Sequence, residues 1–313
     1  MKMTVMYNWG RAWVALSCAL AMLLTASCGS GSQDKPAAGA DKPVQIVVAF
    51  YPFQFLAEQI AGRHAVVSNL TQPGAEPHDL ELTPKQVGSV SDADLVVYER
   101  GFQAAVDEAV HQSGQANVLD TATVVPLQDL GTRAEDSGQH YLDPHVWLDP
   151  NNMAKIAGAL VDRLSDIDPA NRASYAENGA RLSADLSKLD GRFRNGLASC
   201  QRTHFVTQHA AFGYLARRYG LTQVSIEGLS PDSEPSPARI AAVQREVRRY
   251  HATTIFYETL VSPAVAKSIA GDLRLKTDVL DPVEGITPQS KGQDYLAVMT
   301  ANLASLRTAN GCR

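Results

Sequence analysis

Two apolar rhythms alternate along the chain. Val44-Gln45-Ile46-Val47-Val48-Ala49-Phe50 is a nearly continuous β-branched run, of the kind buried on both faces of a parallel sheet. A helical pattern over 53–61 follows, then a strand over 65–70, a helix opened by Thr83-Pro84, a strand over 94–98, a helix over 102–112 and a short strand over 117–119. Strand exchanging with helix in this way predicts βα units around a mostly parallel sheet. The rhythm stops over 120–143, a long polar loop containing Glu135, Asp136 and His140, and resumes with a helix over 151–164.

Asp168-Pro169 then opens the longest helical pattern. Tyr175, Leu182, Leu186, Leu189 and Phe193 fall at steps of seven, four, three and four, one apolar stripe over about 28 residues, or roughly 40 Å. Beyond it the first style returns, with strands over 204–207, 223–226, 253–257 and 277–280 and helices over 210–219, 238–250, 262–273 and 292–306. The expected architecture is therefore α/β, with two Rossmann-like βα lobes, 44–166 and 198–313, joined by one long rigid helix over 167–197.

The N-terminus changes the picture of where this protein works. Lys2 and Arg11 precede an apolar run from Ala12 to Leu24, which is too short to span a bilayer and reads as an export signal over residues 1–27. Thr25-Ala26-Ser27-Cys28-Gly29 resembles the lipobox of bacterial lipoproteins, which would make Cys28 the lipidated residue. A Gly-, Ser- and Ala-rich stretch to residue 43 suits a flexible tether. Only Cys200 and Cys312 then remain in the folded part, and two thiols in an oxidising compartment predict one disulfide. A formal charge of −5 with no basic stripe argues against a nucleic-acid partner.

Candidate chemistry gathers at four places. His78 sits in Gly74-Ala75-Glu76-Pro77-His78, and His145 lies between two Asp-Pro steps in Asp143-Pro144-His145-Val146-Trp147-Leu148-Asp149-Pro150. His209 lies in Gln208-His209-Ala210-Ala211-Phe212-Gly213-Tyr214, and Asp281 in Leu280-Asp281-Pro282. All four follow strands or the loop leaving one, the side where open α/β sheets bind ligands. Facing lobes would bring them into one crevice. Three imidazoles and one carboxylate suit Zn²⁺, whereas Mg²⁺ and Ca²⁺ want oxygen donors and Mn²⁺ prefers more carboxylate. Asp281 has an alternative role, capping the turn at Pro282. Glu258, ending a strand, is placed to hydrogen-bond a ligand imidazole. Glu76, Glu234 and Glu284 lie in loops on the same side, where any could serve a zinc-dependent hydrolase as general base. Against that chemistry, the chain has no H-E-x-x-H, and a fourth protein ligand leaves zinc no position for water. A host-surface adhesin using metal structurally is a third reading.

Taken together and in this order, the four motifs resemble the zinc- and manganese-specific substrate-binding lipoproteins of bacterial ABC importers, of the zinc-uptake type. The resemblance implies two α/β lobes on one long helix, with metal at the lobe interface and small lobe movements on binding. It further implies a monomer anchored to the outer face of the cytoplasmic membrane, which delivers its ion to a permease driven by a cytoplasmic ATPase. Histidine at position 209 favours zinc over manganese within that family. The loop before His145 carries His140 alone, where many zinc members have a histidine-rich stretch.

Overall fold

The computed structural model describes residues 42–132 and 140–313; Cys28, the export signal and most of the tether lie outside them. In the first half, β1 (Val44–Val48) lies between β2 (Ala65–Asn69) and β3 (Leu95–Tyr98), and β4 (Val118–Asp120) extends the sheet, giving the parallel order β2-β1-β3-β4. Its helices are α1 (Tyr51–Ala61), α2 (Pro84–Asp92) and α3 (Ala104–Ser113). Thr83 caps α2 reciprocally with Gln86, as a Thr-Pro start with Gln at the third helical position allows.

The expected loop over 120–143 is partly a ladder. β5 (Gln128–Thr132) pairs antiparallel with β6 (His140–Asp143), in a register that shifts between Asp129 and Thr132. Short strands with an irregular register carry no period-two apolar signal, so sequence patterning could not register them. Glu135 and Asp136 lie outside the described residues, and His140 contributes its backbone to β6.

Asp149 caps α4 (Pro150–Ile167), and α5 (Arg172–Leu197) follows as the long helix. Its 26 residues span about 39 Å at 1.5 Å per residue. Tyr175, Leu182, Leu186, Leu189, Phe193 and Leu197 are buried along it, and Gly179 fills the gap in the stripe. A Cβ at Gly179 would collide with Val161 Cγ2, so the glycine sets how closely α4 and α5 approach. The C-terminal half of α5 is tied down by Arg218, whose Nε donates to Asp190 at 2.7 Å and lies 3.0 Å from the Asp149 carboxylate.

In the second half, β7 (His204–Thr207), β8 (Thr222–Ser225), β9 (Thr254–Tyr257) and β10 (Lys276–Val279) form a parallel sheet in the order β10-β9-β7-β8. It carries α6 (Gly213–Arg218), α7 (Pro237–Tyr250), α8 (Ala264–Leu273) and α9 (Tyr295–Asn310). The helix expected from residue 210 starts at Gly213, because the Ala210 amide is drawn to Gly228 O at 2.8 Å. Cys200 and Cys312 are joined in a disulfide that closes a span of 112 residues.

Residues 43–313 form one unit, and its main apolar core is continuous. Ile46 and Phe50 of the first half, Trp147, Leu186 and Phe193 of the middle, and Phe205, Leu280 and Tyr295 of the second half all belong to it. A smaller cluster of Val206, Val224, Val243, Val247, Ile255 and Ile269 fills the other face of the second sheet. Because the strands of each sheet run parallel, the loops leaving β2, β7, β9 and β10 emerge at carboxyl ends, which is what places the site.

Candidate metal centre

His78, His145 and His209 converge, and the carboxylate that meets them belongs to Glu284. Glu284 Oε1 is 3.5 Å from the Nε2 of each of the three histidines. The Nε2 atoms of His145 and His209 are 3.2 Å apart. Four donors held 2.0–2.1 Å from a common centre in a regular tetrahedron would lie about 3.3–3.4 Å from one another, and these four distances fall within about 0.2 Å of that. His145 and His209 are fully buried, and Glu284 is nearly so. His78 Nε2 and Glu284 Oε1 are buried without a hydrogen-bond partner in the protein, a cost that a cation shared by both would remove.

Asp281, expected as the fourth ligand, is not in this group. Its Oδ1 accepts from the Val283 amide at 2.8 Å, while Oδ2 accepts from Ser290 Oγ at 2.7 Å and Thr259 Oγ1 at 3.2 Å. It closes the turn at Pro282, the capping role open to an Asp-Pro step. Val283 next to it has φ +59°, a left-handed conformation that is strained for a β-branched side chain. That twist re-aims the chain, so that residue 284 points its carboxylate at the histidines. The sequence puts Glu284 in a loop on the ligand side of its lobe, but nothing local marks the reversal at Val283.

Two histidines are gripped in the same way. Asp143 Oδ1 accepts from both the His145 amide, at 3.0 Å, and its Nδ1, at 2.8 Å. Glu258 Oε1 likewise takes the His209 amide, at 3.1 Å, and its Nδ1, at 2.5 Å. A carboxylate holding Nδ1–H fixes ring and tautomer and leaves the Nε2 lone pair facing the centre. Glu258 thus occupies the supporting position expected from sequence, and Asp143 is its counterpart, present in the Asp-Pro-His motif but not singled out. His78 differs: Glu76 Oε2 accepts from its amide at 2.8 Å, and its ring packs edge-on to Phe102 with centroids 4.7 Å apart. Gln103 fixes the loop by donating to Pro77 O at 3.1 Å.

The halves are tied beside the donors. Trp147 Nε1 donates to Pro282 O at 2.7 Å, and Tyr295 Oη donates to Trp147 O at 2.6 Å. Tyr214 Oη donates to Asp143 O at 3.0 Å. A Cβ at Gly213 would lie 2.6 Å from Asp143 Oδ2, so the glycine of the His209 motif admits the carboxylate of the His145 motif.

Electrostatics follow from this packing. Burial works against protonation of His209, but Glu258 and Glu284 outweigh it and hold its pKa well above the ordinary imidazole range. His145 is raised too, burial being more than offset by Asp143 and Glu284. Burial would lift Glu284, yet the three imidazoles keep it well below the usual carboxylate range. His78 is lowered, chiefly by burial. Glu76 is pushed up to about 8 by burial and by the nearby Glu284. Of the other histidines, His64 packs edge-on to Tyr175, His204 stacks on Tyr250 and His251 ends α7; these are structural positions. Glu234 lines a cavity with Glu227 and Arg239 and is not among the converging donors.

Comparison with known proteins points the same way. A family model described as "Zinc-uptake complex component A periplasmic" matches residues 46–309. The high-affinity zinc uptake system protein ZnuA of Bacillus subtilis is 34% identical, covering 96% of this chain and 97% of its own. Among solved structures, the Zn(II)-bound ZnuA-like domain of Streptococcus pneumoniae AdcA superposes with a TM-score of 0.73 at 35% identity, over 86% of this chain and 99% of that one. The laminin-binding adhesin Lmb of Streptococcus agalactiae gives 0.77 at 30% identity, over 85% and 99%.

Proposed function

The chain belongs to the zinc-uptake complex component A (ZnuA) family, and from that premise we propose that it captures Zn²⁺ outside the cytoplasm and delivers it to the permease of an ABC importer. His78, His145, His209 and Glu284 hold the ion in this reading, with Asp143 and Glu258 orienting two of the imidazoles. The observation that carries it is the placing of Glu284 Oε1 3.5 Å from each of the three imidazole Nε2 atoms, with those of His145 and His209 3.2 Å apart, which suits tetrahedral zinc rather than a larger oxygen-loving cation. Four protein donors complete zinc's coordination, which favours storage and transfer of the ion over hydrolysis, since a catalytic zinc keeps one position for water. Residues 44–166 and 198–313 act as the two jaws and 167–197 as their shared strut. Cys28 carries the lipid that keeps the protein at the membrane, and one chain works as a monomer.

The test is metal analysis of the purified exported chain, followed by competition between Zn²⁺ and Mn²⁺. One tightly held zinc per chain is expected, lost in His145→Ala or His209→Ala. Manganese outcompeting zinc would assign the same site to the other ion of this transporter class. Tight zinc binding by a variant lacking all three histidines would sink the site.

A further inference from the structure

The donors are not equally enclosed. The side chains of His145, His209 and Glu284 are at most 1% exposed, whereas His78 retains 8% and Glu76, two residues before it, 15%. Among these groups, the side open to solvent is therefore the edge formed by Glu76 and His78. At that edge stands a carboxylate used differently from the other two. Asp143 and Glu258 each spend one oxygen on the amide and Nδ1 of the histidine they hold. Glu76 faces backbone amides instead, those of His78 and Asp79, with Oε2 accepting from His78 at 2.8 Å, and its Oε1 is buried without a hydrogen-bond partner, 3.9 Å from His78 Nε2. That separation exceeds the tetrahedral edge by only about half an ångström. Farther out, Asp79 and Asp232, from opposite halves, meet side chain to side chain. They place negative charge where a cation arrives, which raises its local concentration.

We propose that Glu76 is the exchange ligand of this site: Oε1 and His78 Nε2 take the incoming ion together, and Glu76 then gives it up to Glu284, His145 and His209. Release runs the same route backwards. His78 belongs to both arrangements and never lets go, so the ion is not stripped of all protein donors at once. No bond other than metal–donor bonds forms or breaks, and the ion exchanges Glu76 and water for three buried donors. The inference rests on the zinc-binding reading above and adds a kinetic role to a residue outside the equilibrium ligand set.

The experiment is stopped-flow zinc uptake, and release to an excess of chelator, with the wild-type protein and Glu76→Gln. Glutamine keeps an oxygen for the His78 amide but removes the charge and the free carboxylate oxygen. Uptake and release rates should both fall about tenfold or more, because the barrier between the two arrangements rises in both directions. An Asp79→Asn variant should slow uptake alone, and less so at high salt. A faster release with weaker affinity in Glu76→Gln would mean that Glu76 merely props the His78 loop, and it would overturn the proposal; so would unchanged rates. Wild-type protein that takes up no zinc would instead overturn the zinc reading, and this inference with it.

Discussion

Glu284 and Asp281 stand three residues apart in one turn, and only one of them faces the histidines. Replacing Glu284 by Gln keeps its shape and removes the negative charge that a buried dication would pair with. Breaking a buried charge pair by removing one partner costs about 3–5 kcal/mol, so zinc affinity should drop by between about two and nearly four powers of ten. In Asp281→Asn the remaining carbonyl oxygen can still accept from the Val283 amide, and the Ser290 and Thr259 hydroxyls can rotate to accept from the new amide group. Its expected loss is about 1 kcal/mol, the size of one net hydrogen bond, and it should appear as lower stability of the metal-free protein. Competition titration with a chromophoric zinc chelator gives the affinities, and urea denaturation of metal-free protein gives the stabilities. The reasoning is refuted if Asp281→Asn loses zinc as severely as Glu284→Gln, or if Glu284→Gln binds as tightly as wild type.

Three further outcomes are expected. Asp143→Asn and Glu258→Gln should each weaken zinc binding about 10- to 100-fold with the ligand set intact, measured by the same titration. Zinc needs unprotonated imidazoles, and His145 and His209 are both raised above the ordinary value of 6.5; apparent affinity should therefore keep increasing as pH rises through 6.5, and titration across that range checks the sign. Reducing or replacing Cys200–Cys312 releases a loop of 112 residues, which should destabilise the protein by about 2–5 kcal/mol in denaturant melts, with the metal donors untouched.

Much of this was legible in the residues themselves. The β-branched runs located the sheets because central parallel strands are buried on both faces. The stripe from Tyr175 to Phe193 located the long helix because its burial is one-sided. Histidines 78, 145 and 209 stood out because each follows a strand or its loop at the carboxyl end of a sheet. What escaped depends on geometry that only the folded chain supplies. The hairpin of β5 and β6 has no alternating pattern to detect. The identity of the fourth donor turns on a positive φ at Val283, a conformation valine adopts so rarely that no propensity would suggest it. Gly179, inside the seven-residue step between Tyr175 and Leu182, is the place where α4 comes close enough to dock.

The continuous core bears on how an ion gets out again. A binding protein whose halves meet only at a flexible hinge can open by itself and let thermal motion empty it. Here Phe50, Trp147, Phe193, Phe205 and Tyr295 belong to one packed interior running under the metal centre, and Trp147 is hydrogen-bonded to both Pro282 and Tyr295. Such an interior works as a fixed-jaw gauge: an ion of the wrong size is rejected because widening the jaws would mean unpacking a core, and an ion of the right size is kept for the same reason. Emptying the gauge quickly is then work for whatever seizes the outer edge of the jaws, because a packed core resists opening on its own.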